Sequence, residues 1–443
     1  MIDLNPEILT LIMAVAILGG ILIGFPIPFV FGTITLVMGY MVWGPAVFPL
    51  IYMRIFDMMT SYILLAVPLF VFMGVMLQHA GLAEKMYDAL YMWFGNTRGG
   101  LAVITVLVGI TMAKTVGIIA AAIAMLSAVG LPAMLKAKYS KSLASGSVCA
   151  SGCLGILIPP SIMLVTYGMM AGLSVGRLFF GAIIPGLILG SLYVIYVVVR
   201  SYLQPDIAPA MPLEERISVP LTRKILMLIT AVVPIAVVIL AVLGVIFFGI
   251  APPTEAAAIG ALTAMLLAVV HGRFTFKVLK EAVTATIRIC AFIFLFIAMA
   301  KAFTSVFLGF GGGRIVGEVI LAAPGGTWGI FAAIMFMVFV LGMFLDWLPI
   351  LFIIIPIATP IAAEAGFDPI WFAIMVSVNL QMCFMTPPFA GGIFIARGLA
   401  PPEVSAGNIM RGVLPFVGLV IVTLGILVAF PELVTWLPNM MIG

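Results

Sequence analysis

Two stretches of this chain are apolar enough to lie in a membrane, yet each is cut in its middle by a Pro-Pro pair. They run over about 142–171, around Pro159-Pro160, and about 370–397, around Pro387-Pro388. A proline removes a backbone N–H, clashes with the preceding turn and pushes its predecessor toward extended backbone, so neither stretch can be one continuous helix. In hydrocarbon the released carbonyls find no water, and each costs several kcal/mol unless protein encloses it. Both breaks must therefore face a protein-walled cavity.

The membrane setting follows from how few charges there are to spread over the rest. Only 8% of the 443 residues are charged and 65% are hydrophobic, with a mean hydropathy of +1.35; a soluble domain carries about 25% charged residues. Ten further apolar runs of spanning or near-spanning length fall at about 8–24, 27–43, 62–79, 99–132, 177–199, 224–250, 254–270, 284–310, 328–360 and 408–430. The fold class expected is an all-α polytopic membrane protein. No Lys or Arg precedes the first run, so that run reads as a retained span rather than a signal peptide. Segment 45–60, with Arg54 and Asp57, reads as an amphipathic helix at the interface. The net charge of +4 is scattered through loops and points to no nucleic-acid partner.

The two interrupted stretches are members of an internal repeat. Pro159 and Pro387 lie 228 residues apart, and so do Pro132 and Pro360. The same shift lays SGCLGILIPPS (151–161) on NLQMCFMTPPF (379–389), and GFPIP (24–28) resembles GIAPP (249–253). The chain divides into a first half, 1–200, a polar linker, 201–223, and a second half, 224–443. Lys136, Lys138 and Lys141 precede the first break, whereas Glu364 and Asp368 precede the second. The positive-inside rule then orients the halves oppositely, as in the inverted repeats of secondary transporters. The linker, with both signs of charge, gives no orientation of its own.

Candidate chemistry gathers at the breaks. Ser151, Gly152 and Gly155 precede the first, and Asn379, Gln381 and Thr386 precede the second; Ser161 follows the first. Loose carbonyls favour an alkali cation and helix N-termini favour an anion, so together they suit an ion and an anionic cargo. Asp346 lies in an apolar run, where a carboxylate costs about 2.5–3.5 kcal/mol on insertion scales and needs a cation or a buried Lys as partner. Lys114 and Lys301 also lie in apolar runs; either could meet the cargo anion or snorkel to an interface. Cys149 and Cys153 sit one helical turn apart as small packing residues. Trp328, Trp347 and Trp371 read as packing or interfacial belt. One deep carboxylate and two His without a nucleophile partner argue against an enzyme.

The segments 151–187, 341–361 and 379–401, with VPLFVFMGVMLQHAGLAEKM (67–86) and GIAPPTEAAAIGAL (249–262), resemble the large membrane subunit of the TRAP (tripartite ATP-independent periplasmic) transporters. That resemblance implies two inverted repeats, each with a re-entrant helical hairpin, moving as an elevator in the bacterial inner membrane. It implies Na+ as the coupling ion and a small organic anion, carboxylate or sulfonate, as cargo. It implies two partners, a small four-helix membrane subunit and a periplasmic substrate-binding protein. Carried onto this chain, the sodium ligands fall on Ser151, Gly152, Gly155 and Pro159, on Asn379, Thr386 and Pro387, and on Asp346. Lys114, Ser161, Lys301 and Gln381 remain the candidates for cargo contact. The chain departs from the family in 116–126, VGIIAAAIAML, where many members carry Ser-Ser-x-x-Asp; the acidic position falls near Ala122. The alternative reading is a stand-alone sodium/proton or anion exchanger of the same architecture.

Overall fold

The computed structural model describes residues 5–116, 119–210, 220–388 and 390–441, with the side chains at 83 and 112–116 outside the description. The described residues fold into helices joined by short turns. The first half holds α1 (Pro6–Leu22), α2 (Ile27–Trp43), α3 (Val47–Met59), α4 (Ala66–His79), α5 (Leu82–Phe94), α6 (Gly100–Val116), α7 (Ile119–Lys136), α8 (Lys141–Leu154), α9 (Ile162–Ala171) and α10 (Val175–Leu203). The second holds α11 (Leu221–Phe247), α12 (Pro253–Val270), α13 (Phe276–Gly309), α14 (Gly312–Leu321), α15 (Gly326–Gly342), α16 (Trp347–Glu364), α17 (Pro369–Asn379), α18 (Gly391–Leu399), α19 (Ala406–Ala429) and α20 (Glu432–Asn439). Among the described residues, nine helical stretches are long and apolar enough to cross a membrane.

The shift of 228 relates these elements almost residue for residue. Ile119 and Lys136, the ends of α7, fall on Trp347 and Glu364, the ends of α16. α8 and α9 fall on α17 and α18, α6 on α15, and α10 on α19. α3 and α4, separated by a 3-10 turn, fall on the single long helix α13. The packing exchanges in the same way. α7 lies against α18, as α16 lies against α9; α8 lies against α19, as α17 lies against α10; α4 lies against α12, as α13 lies against α2. Such reciprocity is what a two-fold relation between the halves produces.

Local chemistry sets the helix ends. Ser161 caps α9, Ser174 caps α10, Thr275 caps α13 and Asp368 caps α17, each accepting a first-turn backbone N–H. Ser405 and Asn408 close a reciprocal box at the start of α19. α9 ends on Gly172, whose φ of +66° is a left-handed stop.

Two sequence expectations need correction. The runs 99–132 and 328–360 are not single spans: α6 and α7 pack side by side, with Gly130 against Thr105, and α15 and α16 are separated at 343–346. Long apolar composition marks burial but carries no sign of where a helix is interrupted without proline. The polar linker is shorter than 201–223, because α10 runs to Leu203 and α11 begins at Leu221. Its start is fixed by Ser140 N donating to Ile207 O at 2.7 Å and Gly99 N donating to Ala208 O at 3.1 Å. Segment 45–60 forms α3, a separate helix of 13 residues that carries Arg54 and Asp57 and is set off from α2 by a 3-10 turn at Gly44–Ala46.

α8 shows why small residues recur before the first break. Its sequence, KSLASGSVCASGCL, has almost no aliphatic bulk, and every residue from 143 to 154 is buried. Ser145, Ser147 and Ser151 each donate a hydroxyl to the carbonyl one turn back, so no polar side chain is stranded. The reward for small size is close approach. A Cβ placed on Gly146 would collide with the backbone of Gly412 in α19, and the reverse substitution would meet Ser142 and Gly146. Gly146→Val and Gly412→Val should each cost about 1–3 kcal/mol through forced separation of these helices. Thermal unfolding of the detergent-solubilised protein should show a melting point several degrees lower, and unchanged melting in both variants refutes the close contact.

Candidate functional site

Neither arm of either interrupted stretch can cross a bilayer. α8 has 14 residues and α9 has 10; α17 has 11 and α18 has 9. At about 1.5 Å per residue, none reaches the roughly 30 Å of a hydrocarbon core. Each pair is therefore a hairpin that turns back at its Pro-Pro pair, and both Pro-Pro bonds are cis. The two hairpins touch: α8 meets α18, and α9 meets α17. The Cys149 thiol approaches Gly392 O at 3.6 Å across this contact.

The turns leave oxygen atoms without donors. Among the described residues no N–H or O–H donates to the carbonyls of Gly155, Leu157, Ile158, Pro159 or Pro160 at the first turn. The same holds for Cys383, Met385, Thr386 and Pro387 at the second. Ser161 Oγ donates to Ile156 O and accepts from Leu164 N, so it is a cap that closes the turn. The first turn is wholly buried, whereas Pro387 is half-buried and Pro388 exposed.

Two amides complete the second turn. Asn379 Nδ2 donates to Met335 O of α15 at 2.7 Å. Gln381 Nε2 donates to Ser377 O at 3.2 Å. A carbonyl can only accept, so these bonds fix which end of each amide points away. Asn379 Oδ1 and Gln381 Oε1 are buried with no donor. Thr386 Oγ1 donates to Met382 O at 2.8 Å and keeps its lone pairs free. Buried acceptors without donors are rare in folded proteins and suit a hard cation, which binds oxygen alone.

Asp346 stands at the break between α15 and α16 as the cap of α16. Its Oδ1 accepts from Trp347 N at 2.6 Å. The carboxylate lies within electrostatic range of the Cys153 and Cys383 thiols, one from each hairpin. Cys383 also packs on Gly342, where a Cβ would collide with its sulfur. Asp346 therefore sits beside both hairpins and not in mid-helix. Its single backbone bond leaves carboxylate capacity for a cation.

The remaining sequence candidates are distributed differently. Ser151 Oγ is engaged by Ser147 O, and its Cβ faces Gly109 of α6. Gly152 packs on Ile123 of α7. Lys301 Nζ meets Asp57 Oδ2 at 2.8 Å, joining α13 to α3. Lys114 belongs to α6, but its side chain lies outside the described residues. Trp371 is buried and donates Nε1 to Leu427 O at 3.1 Å, within a cluster with Trp328, Phe331 and Phe367. Sequence reasoning missed the buried hydroxyls of Tyr87, Ser127, Tyr167, Tyr193, Thr254 and Thr359, of which Tyr167 in α9 and Thr359 in α16 lie side by side. A tyrosine inside an otherwise apolar run was the available signal.

The shift of 228 makes the polarity of the two hairpins unequal. Asn379 corresponds to Ser151, Gln381 to Cys153 and Cys383 to Gly155. Both turns offer carbonyls, but the amide oxygens and Asp346 belong to the second half.

Comparisons with known proteins agree with this architecture. Residues 11–433 match the family described as "Tripartite ATP-independent periplasmic transporter, DctM component". A Vibrio cholerae protein described as "C4-dicarboxylate TRAP transporter large permease protein DctM" is 28% identical over 457 residues, covering 98% of each chain. A Pseudomonas aeruginosa protein with the same description is 30% identical over 389 residues, covering 87% of this chain and 88% of its own. The crystal structure of the Alcanivorax borkumensis YdaH transporter, described as having an unusual topology, has a TM-score of 0.61 at 14% identity, covering 87% of this chain and 90% of that one. At that identity the likeness is one of fold.

The unequal hairpins generate a contrast that mutagenesis can read. Asn379→Leu removes a free buried acceptor, whereas Ser151→Ala removes a hydroxyl already engaged in its own helix. Asn379→Leu should weaken sodium-induced thermal stabilisation of the purified protein at least about tenfold in apparent affinity, and Ser151→Ala less than about twofold. Equal responses of the two variants would contradict the assignment of the free oxygens.

Proposed function

The chain belongs to the DctM component family of tripartite ATP-independent periplasmic transporters, a family of multi-pass membrane permeases and not of enzymes, and from that premise we propose that it imports a small organic carboxylate by sodium symport. The observation that carries the sodium assignment is the set of buried oxygens without donors. They are the carbonyls of the two turns, Asn379 Oδ1 and Gln381 Oε1, with the Asp346 carboxylate beside them. The ligand types are all oxygen, as a hard monovalent cation requires. Among the described residues no group of three or more His, Cys, Asp or Glu side chains could hold a transition metal.

The cargo would lie against the N-terminal end of α9, where the N–H groups of Ile162 and Met163 have no acceptor among the described residues. Free N–H groups at a helix start favour a carboxylate. The relatives described as C4-dicarboxylate permeases support the same class. In this reading the carbonyls of both turns, the amide oxygens and Asp346 hold sodium, while the free N–H groups at the start of α9 receive the anion. Binding of the ion neutralises the field that would otherwise repel the cargo. Against an inside-negative membrane an anion moves uphill by about 2.3 kcal/mol per charge per 100 mV, so at least two sodium ions per monoanion make uptake electrogenic inward.

The short hairpin arms suit an elevator, in which the hairpins move together with α7 and α16 against the outer helices. The inner membrane is the compartment this reading requires. It also requires a small membrane subunit and a periplasmic binding protein that delivers cargo. The family designation, tripartite and periplasmic, supports both partners.

Proteoliposomes containing the chain, its small subunit and the binding protein provide the test. Asp346→Ala should abolish sodium-dependent uptake while leaving the assembly intact on gel filtration. Wild-type rates in that variant sink the sodium assignment. Uptake of the same size without the binding protein would favour the stand-alone exchanger.

A further inference from the structure

Beside the loop that leads into the first hairpin lies a cavity of about 640 Å³ that the transport reading does not use. Tyr87 and Asp88 of α5 line one side, Lys136 and Lys138 at the end of α7 line another, and Pro209 of the interhalf segment closes it. The volume is that of an organic ligand and exceeds what an inorganic ion needs. The segment that forms the last wall is held in place by the Ile207 and Ala208 hydrogen bonds described above, so the cavity is built from three separate parts of the chain.

Several features mark this cavity as a site. Lys136 and Lys138 make no ion pair among the described residues. Lys138 has a φ of +60° and is the one described non-glycine residue in the left-handed region. That conformation ends α7, with Lys138 N donating to Leu135 O and Tyr139 N to Met134 O at 3.0 Å each, and it sets Lys138 beside the cavity. Tyr87 is 7% exposed and its hydroxyl makes no hydrogen bond in the structure. The neighbouring Thr105 hydroxyl donates to Leu101 O at 2.9 Å and lies beside the Tyr87 hydroxyl. Leu101, in the first turn of α6, also lines the cavity, and its N–H donates to the Tyr139 hydroxyl at 3.2 Å.

The charges form a pattern of two cations and one carboxylate. Two lysines and a tyrosine hydroxyl suit a phosphodiester. Asp88, on the same helix as Tyr87, would repel a purely anionic ligand and attract an ammonium. The cavity also lies where α7, an apolar helix of 18 residues, ends at Lys136. That is the level at which the headgroups of a leaflet begin. We propose that this cavity binds the headgroup of an amine-bearing phospholipid, with Lys136 and Lys138 on the phosphodiester and Asp88 on the ammonium. Such a lipid bridges α5, the base of the first hairpin and the interhalf segment. It ties the mobile hairpin of the transport reading to its surroundings.

Lipid retention by the full-length protein tests this independently of transport. The protein is reconstituted into phosphatidylcholine nanodiscs with titrated phosphatidylethanolamine or phosphatidylglycerol, and bound lipid is read by native mass spectrometry. Wild-type protein should retain phosphatidylethanolamine about fivefold or more over phosphatidylglycerol, as expected for one added charge-assisted contact. The double variant Lys136→Ala, Lys138→Gly should lose about tenfold in retention, and glycine at 138 accepts the positive φ without strain. Asp88→Asn should bring the ratio of the two lipids toward one. Tyr87→Phe should lower retention about threefold with an unchanged melting point. Lys141→Ala, outside the cavity, should behave as wild type. Unchanged retention in the double variant overturns the proposal, as does equal retention of the two lipids by wild-type protein. Displacement of lipid by soluble glycerophosphoethanolamine at matched concentration would also overturn it, assigning the site to a free phosphate ester. Should the double variant not purify, Tyr87→Phe and Asp88→Asn decide the matter, and wild-type behaviour in both rejects it.

Discussion

Backbone oxygens that have lost their donors inside apolar surroundings govern this structure. Two hairpins reverse direction at Pro-Pro pairs, and each turn leaves carbonyls that no donor satisfies among the described residues. Lipid cannot receive them, so the hairpins must be enclosed by other helices. That requirement explains the small residues of α8, which let α6, α7 and α19 close around it. It also explains why the serines of α8 bond within their own helix. The hydroxyls of α8 are satisfied within their own helix, and free carbonyls are left at the turns.

The exchange of packing partners between the halves gives the enclosure its form. α7 against α18 and α16 against α9 are one contact made twice, each joining a broken helix of one half to the hairpin of the other. Each hairpin is thus held by helices of both halves. Within this symmetric frame the chemistry is asymmetric. Asn379, Gln381 and Asp346 have Ser151, Cys153 and an aliphatic residue as their counterparts. A shared backbone architecture supplies carbonyls to both turns, and side chains confine the amide and carboxylate oxygens to one.

Buried charge is resolved in two different ways. Lys301 and Asp57 pair across α13 and α3, which is the cheapest arrangement for two charges that begin in apolar helices. Asp346 has no such partner among the described residues and bonds only to the backbone of the helix it starts. The contrast separates a charge used in scaffolding from one available to a ligand. Neither role could be read from the residues alone, since both acidic and basic groups sit in similar apolar text.

The membrane class, the two Pro-Pro turns and the register of the repeat were written in the sequence, because composition and proline act through local rules that need no partner. Segment identity also carried the family. Where the hairpins meet, which amide oxygens are free and where α15 gives way to α16 were decided only by tertiary structure. Asn379 illustrates the reason. Its amide is oriented by a carbonyl 44 residues away in sequence, and Lys301 finds its carboxylate 244 residues away. A hydrogen-bonding group declares its chemistry by its type, but whether it is satisfied depends on atoms that only folding brings within reach.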